Sequence, residues 1–366
     1  MRNRKGIVAA ALLALGLFCT SPADATILFA ANGKLWFTTF FGTVSNSTSA
    51  GTFRSAWTSK SLQIQGGSNT DPNANRAYSP TFTSEAVIWV HAQWDGGCSG
   101  NTIPTNQQVL TIMGSDGNPA IVIRGLSPTV ASEMKISKRS VSGTLTDLVT
   151  SSAFFSCGTI GQMDIYLNYA VSGEVSLYWN GTRVAHYTGD VTTDSRTAVN
   201  QLMLESGSSN SLQYDSWSEI IVATTDTTAM NLMSLSPVAN GATTAWTGTN
   251  ICSSIWAATN YNDASYGSSN TNNQTQECTV TDTVPAGTYT VLGVGIGARA
   301  LVGASGPQHI EFVTRLSSTD YLSSDYAPTG VLSNCCQYFQ TVNPATSSAW
   351  LTSDIPGIQL GLKSTP

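Results

Sequence analysis

The chain has 366 residues, of which 41% are hydrophobic and only 10% charged, and its formal net charge is -6. Exposed helices carry Glu, Lys and Arg on their outer faces, and 16 basic plus 22 acidic residues are too few for an all-helical protein of this length. The acidic balance leaves no basic patch to neutralise a phosphate backbone, so the composition also argues against nucleic-acid binding.

Residues 1–25 have the three parts of a secretory signal peptide. Basic residues from Arg2 to Lys5 are followed by an apolar run from Ile7 to Phe18 and by the small-residue end Ala23-Asp24-Ala25. The apolar run is too short to span a bilayer comfortably. We therefore predict cleavage after Ala25 and a mature chain without membrane insertion. The expected location is secreted, on an extracellular surface or on a virion.

The cysteines after the signal peptide number six, as expected of an exported protein with disulfide bonds. Cys252 and Cys278 bracket a polar stretch, and we predict a bond between them. A second bond is predicted between Cys98 and Cys157. The adjacent Cys335 and Cys336 permit a vicinal disulfide, a bond to another subunit or two free thiols. The sequence has no Cys-x-x-Cys motif, and its three histidines are widely separated, so we predict no metal site that uses these residues.

Apolar and polar residues alternate in many short segments that are separated by turn residues. Glu85–Trp94 and Met163–Tyr169 are examples, and both predict strands. Asn180-Gly181 can supply the two positive φ angles of a type I′ turn, so Val175–Tyr187 is predicted to form a β-hairpin. Later strands are predicted at Met230–Leu235, Tyr289–Ala298, Ile310–Leu316 and Ile358–Leu362.

The fold class predicted from these patterns is all-β, with two tandem β-sandwich (jelly-roll) domains after the signal peptide. The first predicted domain covers residues 26–224 and the second covers residues 225–366. The boundary falls where the strand pattern ends at Ala223 and the polar segment Thr224–Thr228 begins.

The acidic residues do not form the motif of a β-sandwich glucanase, which places two carboxylates on one strand as in Glu-x-Asp-x-Glu. Asp164 and Glu174 are able to approach each other across neighbouring strands, but we interpret them as solvated outer-face residues. No Gly-x-Ser-x-Gly elbow positions a nucleophile. The glycines of Gly293–Gly297 alternate with apolar residues, which indicates a strand and not a nucleotide-binding loop. We therefore predict no catalytic residues and no enzyme activity.

Aromatic residues beside polar loops are the predicted ligand-binding residues. Trp94 precedes Asp95, and an indole beside a carboxylate suits stacking on a sugar while accepting its hydroxyl hydrogen bonds. The alternative interpretation is that the tryptophans fill the sandwich core. Asp95 and the Asp116-Gly117-Asn118 turn are an alternative calcium site, and no other cofactor is predicted. The full ligand-binding set is Trp57, Tyr78, Trp94, Asp95 and Trp179.

Two stretches of the chain resemble known families. Residues 26–223, with the segments Gly173–Val184 and Trp217–Val222, resemble a concanavalin A-like (laminin G-like) jelly roll, a fold that hosts lectins, glycosidases and structural modules alike. Residues 226–364 are similar to the C-terminal part of virion or tail-fibre-like proteins of tailed bacteriophages and prophages. The segments that carry the second resemblance are Trp246–Thr249, Ala298–Pro307, Asn343–Trp350 and Leu360–Lys363.

Together these features predict a non-enzymatic structural or adhesive protein of an extracellular or virion surface. Its expected partners are surface glycans or other virion or surface subunits, in a homo-oligomer or a larger assembly. A secreted carbohydrate-binding lectin that uses the first domain is one alternative. A secreted glycoside hydrolase of the glucanase-like fold, with Asp164 and Glu174 as its carboxylates, is another.

Overall fold

The computed structural model describes residues 14–16, 26–47, 61–65, 75–96, 107–127, 130–155, 159–206, 214–248, 251–255 and 266–366. Strands dominate these residues, which confirms the predicted all-β class. The chain divides into two compact units. The first comprises Thr26–Ser55 and Lys60–Thr228, and the second consists chiefly of Ala229–Pro366.

The described part of the chain up to Ala223 contains one short 3-10 helix at Lys34–Trp36. Its strands follow in chain order. They are β1 (Ala14–Gly16), β2 (Ile27–Ala31), β3 (Thr39–Phe41), β4 (Val44–Ser47), β5 (Ser61–Gln65), β6 (Arg76–Tyr78), β7 (Val87–Asp95), β8 (Gln108–Gly114), β9 (Pro119–Ser127), β10 (Val130–Arg139), β11 (Leu145–Thr150), β12 (Ile160–Asn168), β13 (Gly173–Trp179), β14 (Thr182–Gly189), β15 (Val199–Glu205) and β16 (Tyr214–Ala223).

The first unit is a sandwich of two antiparallel sheets. One sheet has the order β14-β13-β12-β7-β16-β5-β4, with β2 also paired to β16, and the other has the order β11-β10-β9-β8-β15-β6-β3. Alternate residues on each sheet are apolar and buried, such as Ile88 and Val90 in β7 and Leu110 and Ile112 in β8. These faces form the core between the sheets, as the predicted β-sandwich requires.

The hairpin predicted at Val175–Tyr187 is present as β13 and β14. Asn180 and Gly181 have φ angles of 50° and 77°, which are the two positive values that a type I′ turn needs. Both strands then pair in register from Gly173 with Gly189 to Trp179 with Thr182, with one irregularity near Tyr178. A local sequence signal was therefore sufficient to locate this element.

Trp94 and Trp179 lie in the core, which agrees with the alternative interpretation that the tryptophans fill the core and not with a ligand-binding role. The Trp94 ring is fully buried and packs 5.8 Å from Trp217 and 6.1 Å from Trp179. Gly161 leaves room for Trp179, because a Cβ at that position would lie 2.0 Å from the indole. The physical reason is the period of two, which places Trp94 on the same face of β7 as Ile88 and Val90.

The second unit contains one short α-helix, α1 (Ile251–Ile255), a 3-10 helix at Thr352–Asp354 and two sheets. The larger sheet has the order β17-β18-β23-β20-β21, and the smaller one pairs β1, β19 and β22. The strands are β17 (Pro237–Thr244), β18 (Thr275–Val280), β19 (Thr290–Ala300), β20 (His309–Leu316), β21 (Thr319–Leu322), β22 (Ser333–Gln340) and β23 (Gln359–Thr365).

The segment Met230–Leu235, predicted as a strand, is not part of a strand in the described structure. Met233 and Leu235 are nevertheless buried in a core cluster with Val294, Trp350 and Ile358. An apolar run can fill a core without strand geometry, and the sequence pattern does not separate the two cases. The glycine-alternating segment Gly293–Gly297 does lie within a strand, β19, as predicted.

The predicted disulfide between Cys252 and Cys278 is present and ties α1 to β18, with a Cα–Cα distance of 5.5 Å. Cys98 and Cys157 lie outside the described residues, as do the side chains of Cys335 and Cys336, whose backbone belongs to β22. Among the described residues, no helix has the length and apolar character needed to cross a membrane.

Candidate functional site

The outward face of the seven-stranded sheet carries polar side chains across several strands. Leu202 and Leu204 of β15 are buried on the core side, so Met203 and Glu205 lie on the opposite side. Met203 pairs with Thr111 of β8 and with Tyr78 of β6. Glu205 pairs with Arg76. Three adjacent strands, β8, β15 and β6, therefore bring Thr111, Glu205, Arg76 and Tyr78 together.

Glu205 is a fully buried carboxyl group with an unusual proton affinity. Its Oε2 accepts a hydrogen bond of 3.2 Å from the Thr111 hydroxyl, whereas its Oε1 is buried and has no hydrogen-bond partner among the described residues. Burial raises the pKa of Glu205 to about 7, although the Thr111 hydrogen bond and the charges of Arg76 and Arg139 partly oppose this. The group therefore exchanges its proton near neutral pH.

Arg76 lies between this carboxyl group and an exposed aromatic ring. Its guanidinium carbon is 4.9 Å from the centroid of the Phe41 ring, and Phe41 is 46% exposed. The Arg76 Nε is buried and, among the described residues, has no hydrogen-bond partner. The half-buried Tyr78 meets Phe41 edge to face at 5.9 Å, and burial raises the pKa of its hydroxyl. Of the predicted ligand-binding residues, Tyr78 lies on this face.

A second charged group lies on the same face of β9, β10 and β11. The Arg124 Nε donates a hydrogen bond of 3.0 Å to the Ser137 hydroxyl, and the Lys135 Nζ contacts Asp147 at 2.6 Å. Arg124 also contacts Asp147 directly. Partial burial alone would raise the pKa of Asp147, but hydrogen bonds from Lys135 and Ser137 and the Arg124 charge hold it at about 2. Asp147 is therefore ionised at neutral pH.

We call this side of the seven-stranded sheet, opposite its core side, the cationic face. Thr111 and Glu205 at its centre are fully buried, whereas Arg76 and Lys135 are partly exposed. Its described charged residues are four basic ones (Arg76, Arg124, Lys135, Arg139) and three acidic ones (Glu133, Asp147, Glu205). The surplus is one positive charge when Glu205 is ionised and two when it is protonated. This local surplus contrasts with the net charge of -6 for the whole chain.

Asp95 does not share a surface with the Trp94 ring. The two residues are neighbours in β7, and neighbouring side chains of a strand point to opposite faces. Trp94 is in the core and Asp95 is on the outer side, where burial raises its pKa. The predicted indole–carboxylate pairing is therefore wrong, and Trp57 lies outside the described residues.

The sequence was interpreted as placing Asp164 on a solvated outer face, and the structure shows that this is wrong. Asp164 is fully buried, and its Oδ1 lies 2.7 Å from His91 Nδ1 and 3.0 Å from the Thr227 hydroxyl. Gln162 donates a hydrogen bond of 2.7 Å to its other oxygen. Asp164 pairs with Tyr178 whereas Glu174 pairs with Asn168, so the two carboxylates stand four residues apart along their strands. They do not form a catalytic pair.

Glu174, Ser176 and His186 form a contact group that has the composition of a catalytic triad without its geometry. The Ser176 hydroxyl lies 2.9 Å from His186 Nδ1 and 3.1 Å from Glu174 Oε1. Glu174 also approaches the same nitrogen, Nδ1, at 3.3 Å. A triad needs the acid and the nucleophile on different nitrogens of the imidazole, so this group cannot relay a proton in that way.

The Asp116-Gly117-Asn118 segment, predicted as a turn or a calcium site, forms a turn with Gly117 at a φ of 78°. Asp116 Oδ1 accepts a hydrogen bond of 3.0 Å from the Asn118 backbone and lies 3.8 Å from Arg196. Among the described residues, no group of three His, Cys, Asp or Glu side chains is arranged to hold a metal ion.

The residues of the cationic face other than Tyr78 were not predicted as ligand-binding residues. Thr111 and Arg124 are the polar members of apolar strand segments, Val109–Met113 and Ala120–Arg124. A buried polar side chain inside such a segment is the sequence signal that can identify a polar face. The pairing of Glu205 with Arg76 has no such signal, because the two residues are far apart in the chain.

No protein-family model matches the chain, and no curated protein sequence matches it. Similar solved structures include endo-beta-1,4-glucuronan lyase from the fungus Trichoderma reesei, which is 11% identical with a TM-score of 0.42 over 55% of this chain and 97% of that chain. The cellulose induced protein Cip1 is 14% identical with a TM-score of 0.36, over 50% and 86% of the two chains. Alginate lyase Aly36B is 10% identical with a TM-score of 0.32, over 60% and 97%. Similarity at this level carries no argument, and the resemblance of the second domain to phage virion proteins stays a prediction.

Proposed function

We propose that the first unit binds an acidic glycan on the cationic face and that it does so without catalysis. The observation that carries the proposal is the partly exposed side chain of Arg76 over the exposed ring of Phe41, on a face with surplus positive charge. A ligand that carries carboxylate groups would pair with the Arg76 guanidinium.

The groups on the cationic face act on a sugar acid in different ways. The planar guanidinium of Arg76 suits the carboxylate of a uronic acid, to which arginine can donate two parallel hydrogen bonds. Glu205 is fully buried, so it acts on a bound glycan through its charge and not by direct contact. The exposed ring of Phe41 offers an apolar surface for the C–H face of the sugar.

The spacing of the carboxylates favours binding over hydrolysis. Glu205 lies on β15 and Asp147 on β11, and the order β11-β10-β9-β8-β15 separates them by four strand spacings, or roughly 19 Å. Glycosidases place their two carboxylates roughly 5 to 10 Å apart. We therefore assign the glycan contact to an adhesive role, in keeping with the expected secreted or virion-surface location.

Calorimetric titration of the full chain with hexagalacturonate tests the proposal, with cellohexaose as the neutral probe. Hexagalacturonate should bind, and Arg76→Ala should weaken its binding at least tenfold. Arg183→Ala is the matched control, because Arg183 is an exposed arginine of β14 in the other sheet. Affinity for hexagalacturonate should also fall as salt concentration rises.

Two results would contradict the proposal. Equal losses of affinity in Arg76→Ala and Arg183→Ala would show that only the overall charge matters. Release of shortened products by the wild-type chain, abolished in Glu205→Gln while binding persists, would show that the face is catalytic.

A further inference from the structure

The outward face of the eight-stranded sheet carries a cluster of three aromatic residues, far from the core tryptophans. Trp89 of β7 pairs with Tyr166 of β12, and their ring centroids are 5.0 Å apart. The ring of Tyr178 in β13 lies 5.6 Å from Trp89. All three side chains are half-buried, and Val87, two residues before Trp89 on the same face, is 37% exposed. We call Trp89, Tyr166 and Tyr178 the aromatic cluster.

Polar groups border the aromatic cluster on one side. Glu174 of β13 and Asn168 of β12 are paired residues on the same face, and both are half-buried. Glu174 contacts the partly exposed His186 at 3.3 Å. Burial and then the charge of Glu174 raise the pKa of the Tyr166 hydroxyl, which shows that the carboxylate acts on the cluster. The exposed Arg183 is the cross-strand partner of Tyr178. The cluster thus combines ring faces with hydrogen-bonding groups and one nearby charge of each sign.

We infer that the aromatic cluster is a second glycan-binding site, and that its ligand is a neutral glycan chain. The rings supply apolar faces for pyranose C–H groups, and Asn168, Glu174 and His186 supply hydrogen-bond partners for hydroxyls. The charges of Glu174 and of the exposed Arg183, which pairs with Tyr178, offset each other at the cluster, so it has no surplus charge to attract a polyanionic glycan.

The two sheets of the first unit therefore bind different classes of glycan on opposite sides of one sandwich. A chain with two such sites can connect an acidic polysaccharide to a neutral one, which suits an adhesive protein. The neutral site does not depend on the acidic-glycan proposal, because no residue is shared between the two faces.

Titration of the full chain with cellohexaose, followed by calorimetry and by tryptophan fluorescence, tests this inference. Trp89→Ala should weaken cellohexaose binding at least tenfold, and Tyr178→Ala should weaken it by a smaller factor. Tyr266→Ala is the matched control, because Tyr266 is an aromatic residue of the second unit that is 68% exposed. Thermal unfolding of each variant reports whether it is folded. If Trp89→Ala does not fold, Tyr178→Ala tests the site in its place.

The outcomes separate this inference from the proposed function. Loss of cellohexaose binding in Trp89→Ala, with hexagalacturonate binding intact, supports the second site. Cellohexaose binding that is unchanged in both Trp89→Ala and Tyr178→Ala overturns it, as does the absence of cellohexaose binding by the wild-type chain. Neither of those results affects the hexagalacturonate measurement with Arg76→Ala, which alone decides the first site.

Discussion

Glu205 and Arg76 stand directly opposite each other in the pairing of β15 with β6, yet no hydrogen bond joins their side chains. Glu205 instead accepts from Thr111, and Arg76 lies over the ring of Phe41. Each residue thus has one buried polar atom without a hydrogen-bond partner among the described residues, on a face where the neighbouring strands supply further charge. This arrangement makes the protonation of Glu205 matter for both stability and binding.

The stability of the first unit should fall between pH 4.5 and pH 7 because of Glu205. Its pKa rises from 4.5 to about 7 on folding, so in this window the folded chain retains a proton that the unfolded chain has lost. The loss should total about 3 kcal/mol and level off above pH 7. Urea unfolding of the wild type and of Glu205→Gln at pH 5 and pH 8 measures it. Glu205→Gln should not show this loss of stability between pH 5 and pH 8. Equal changes in the free energy of unfolding for the two proteins would contradict the prediction.

Binding of hexagalacturonate should strengthen as the pH falls from 8 to 6. Protonation of Glu205 removes the negative charge beside Arg76, and one such charge near a protein surface changes binding by about 1 kcal/mol, or roughly fivefold. Calorimetric titrations at the two pH values check this, and Glu205→Gln should show no such change. Tighter binding by the wild type at pH 8 than at pH 6 would contradict the prediction.

Trp94→Ala should destabilise the first unit without a direct effect on glycan binding. The ring packs against Phe155, Trp179 and Trp217 in the core, and removal of a buried aromatic ring costs about 3–5 kcal/mol. Denaturant unfolding gives the change in stability, and titration under conditions where the variant is still folded gives the affinity. Tyr214→Ala, at a 38% exposed position, should change the stability little. A selective loss of glycan affinity in folded Trp94→Ala would return this residue to a binding role.

Removal of the Cys252–Cys278 bond should destabilise the second unit. The bond closes a segment with a sequence separation of 26, and the loop-entropy model gives about 3 kcal/mol for such a loop. The double variant Cys252→Ala with Cys278→Ala should therefore show faster amide hydrogen exchange in β18 and β23. Exchange in β7 and β12 of the first unit serves as the internal control. Unchanged protection in β18 would show that the bond adds little to stability.

Asp164→Ala should destabilise the first unit by about 2–6 kcal/mol, because it leaves His91 and Thr227 without their buried acceptor at about 1–3 kcal/mol each. Gln162 keeps the Thr228 carbonyl as an acceptor. Denaturant unfolding measures the loss. Glu174→Ala provides the comparison, since Glu174 is only half-buried and should cost much less. Equal effects of the two substitutions would contradict the structural role assigned to Asp164.

The sequence by itself determined the features that depend on near neighbours in the chain. The few charged residues and the period of two indicated an all-β protein, and Asn180-Gly181 located the β13–β14 hairpin because its two φ requirements are local. The same alternation places Trp94 in the core, although the polar residues beside it suggested a ligand site. The apolar segment Met230–Leu235 shows the limit of such patterns, since it is buried in a core without being assigned to a strand.

Only the tertiary structure decided which residues meet on each face. Arg76, Thr111 and Glu205 come from β6, β8 and β15, which are distant in the chain and adjacent in the sheet. Trp89, Tyr166 and Tyr178 come together across β7, β12 and β13 in the same way. Strand order and register are set by the packing of the whole sandwich, and a shift of one residue would move every side chain to the other face. Long-range packing therefore determines the cationic face and the aromatic cluster, whereas the local sequence determines only that these residues lie in strands.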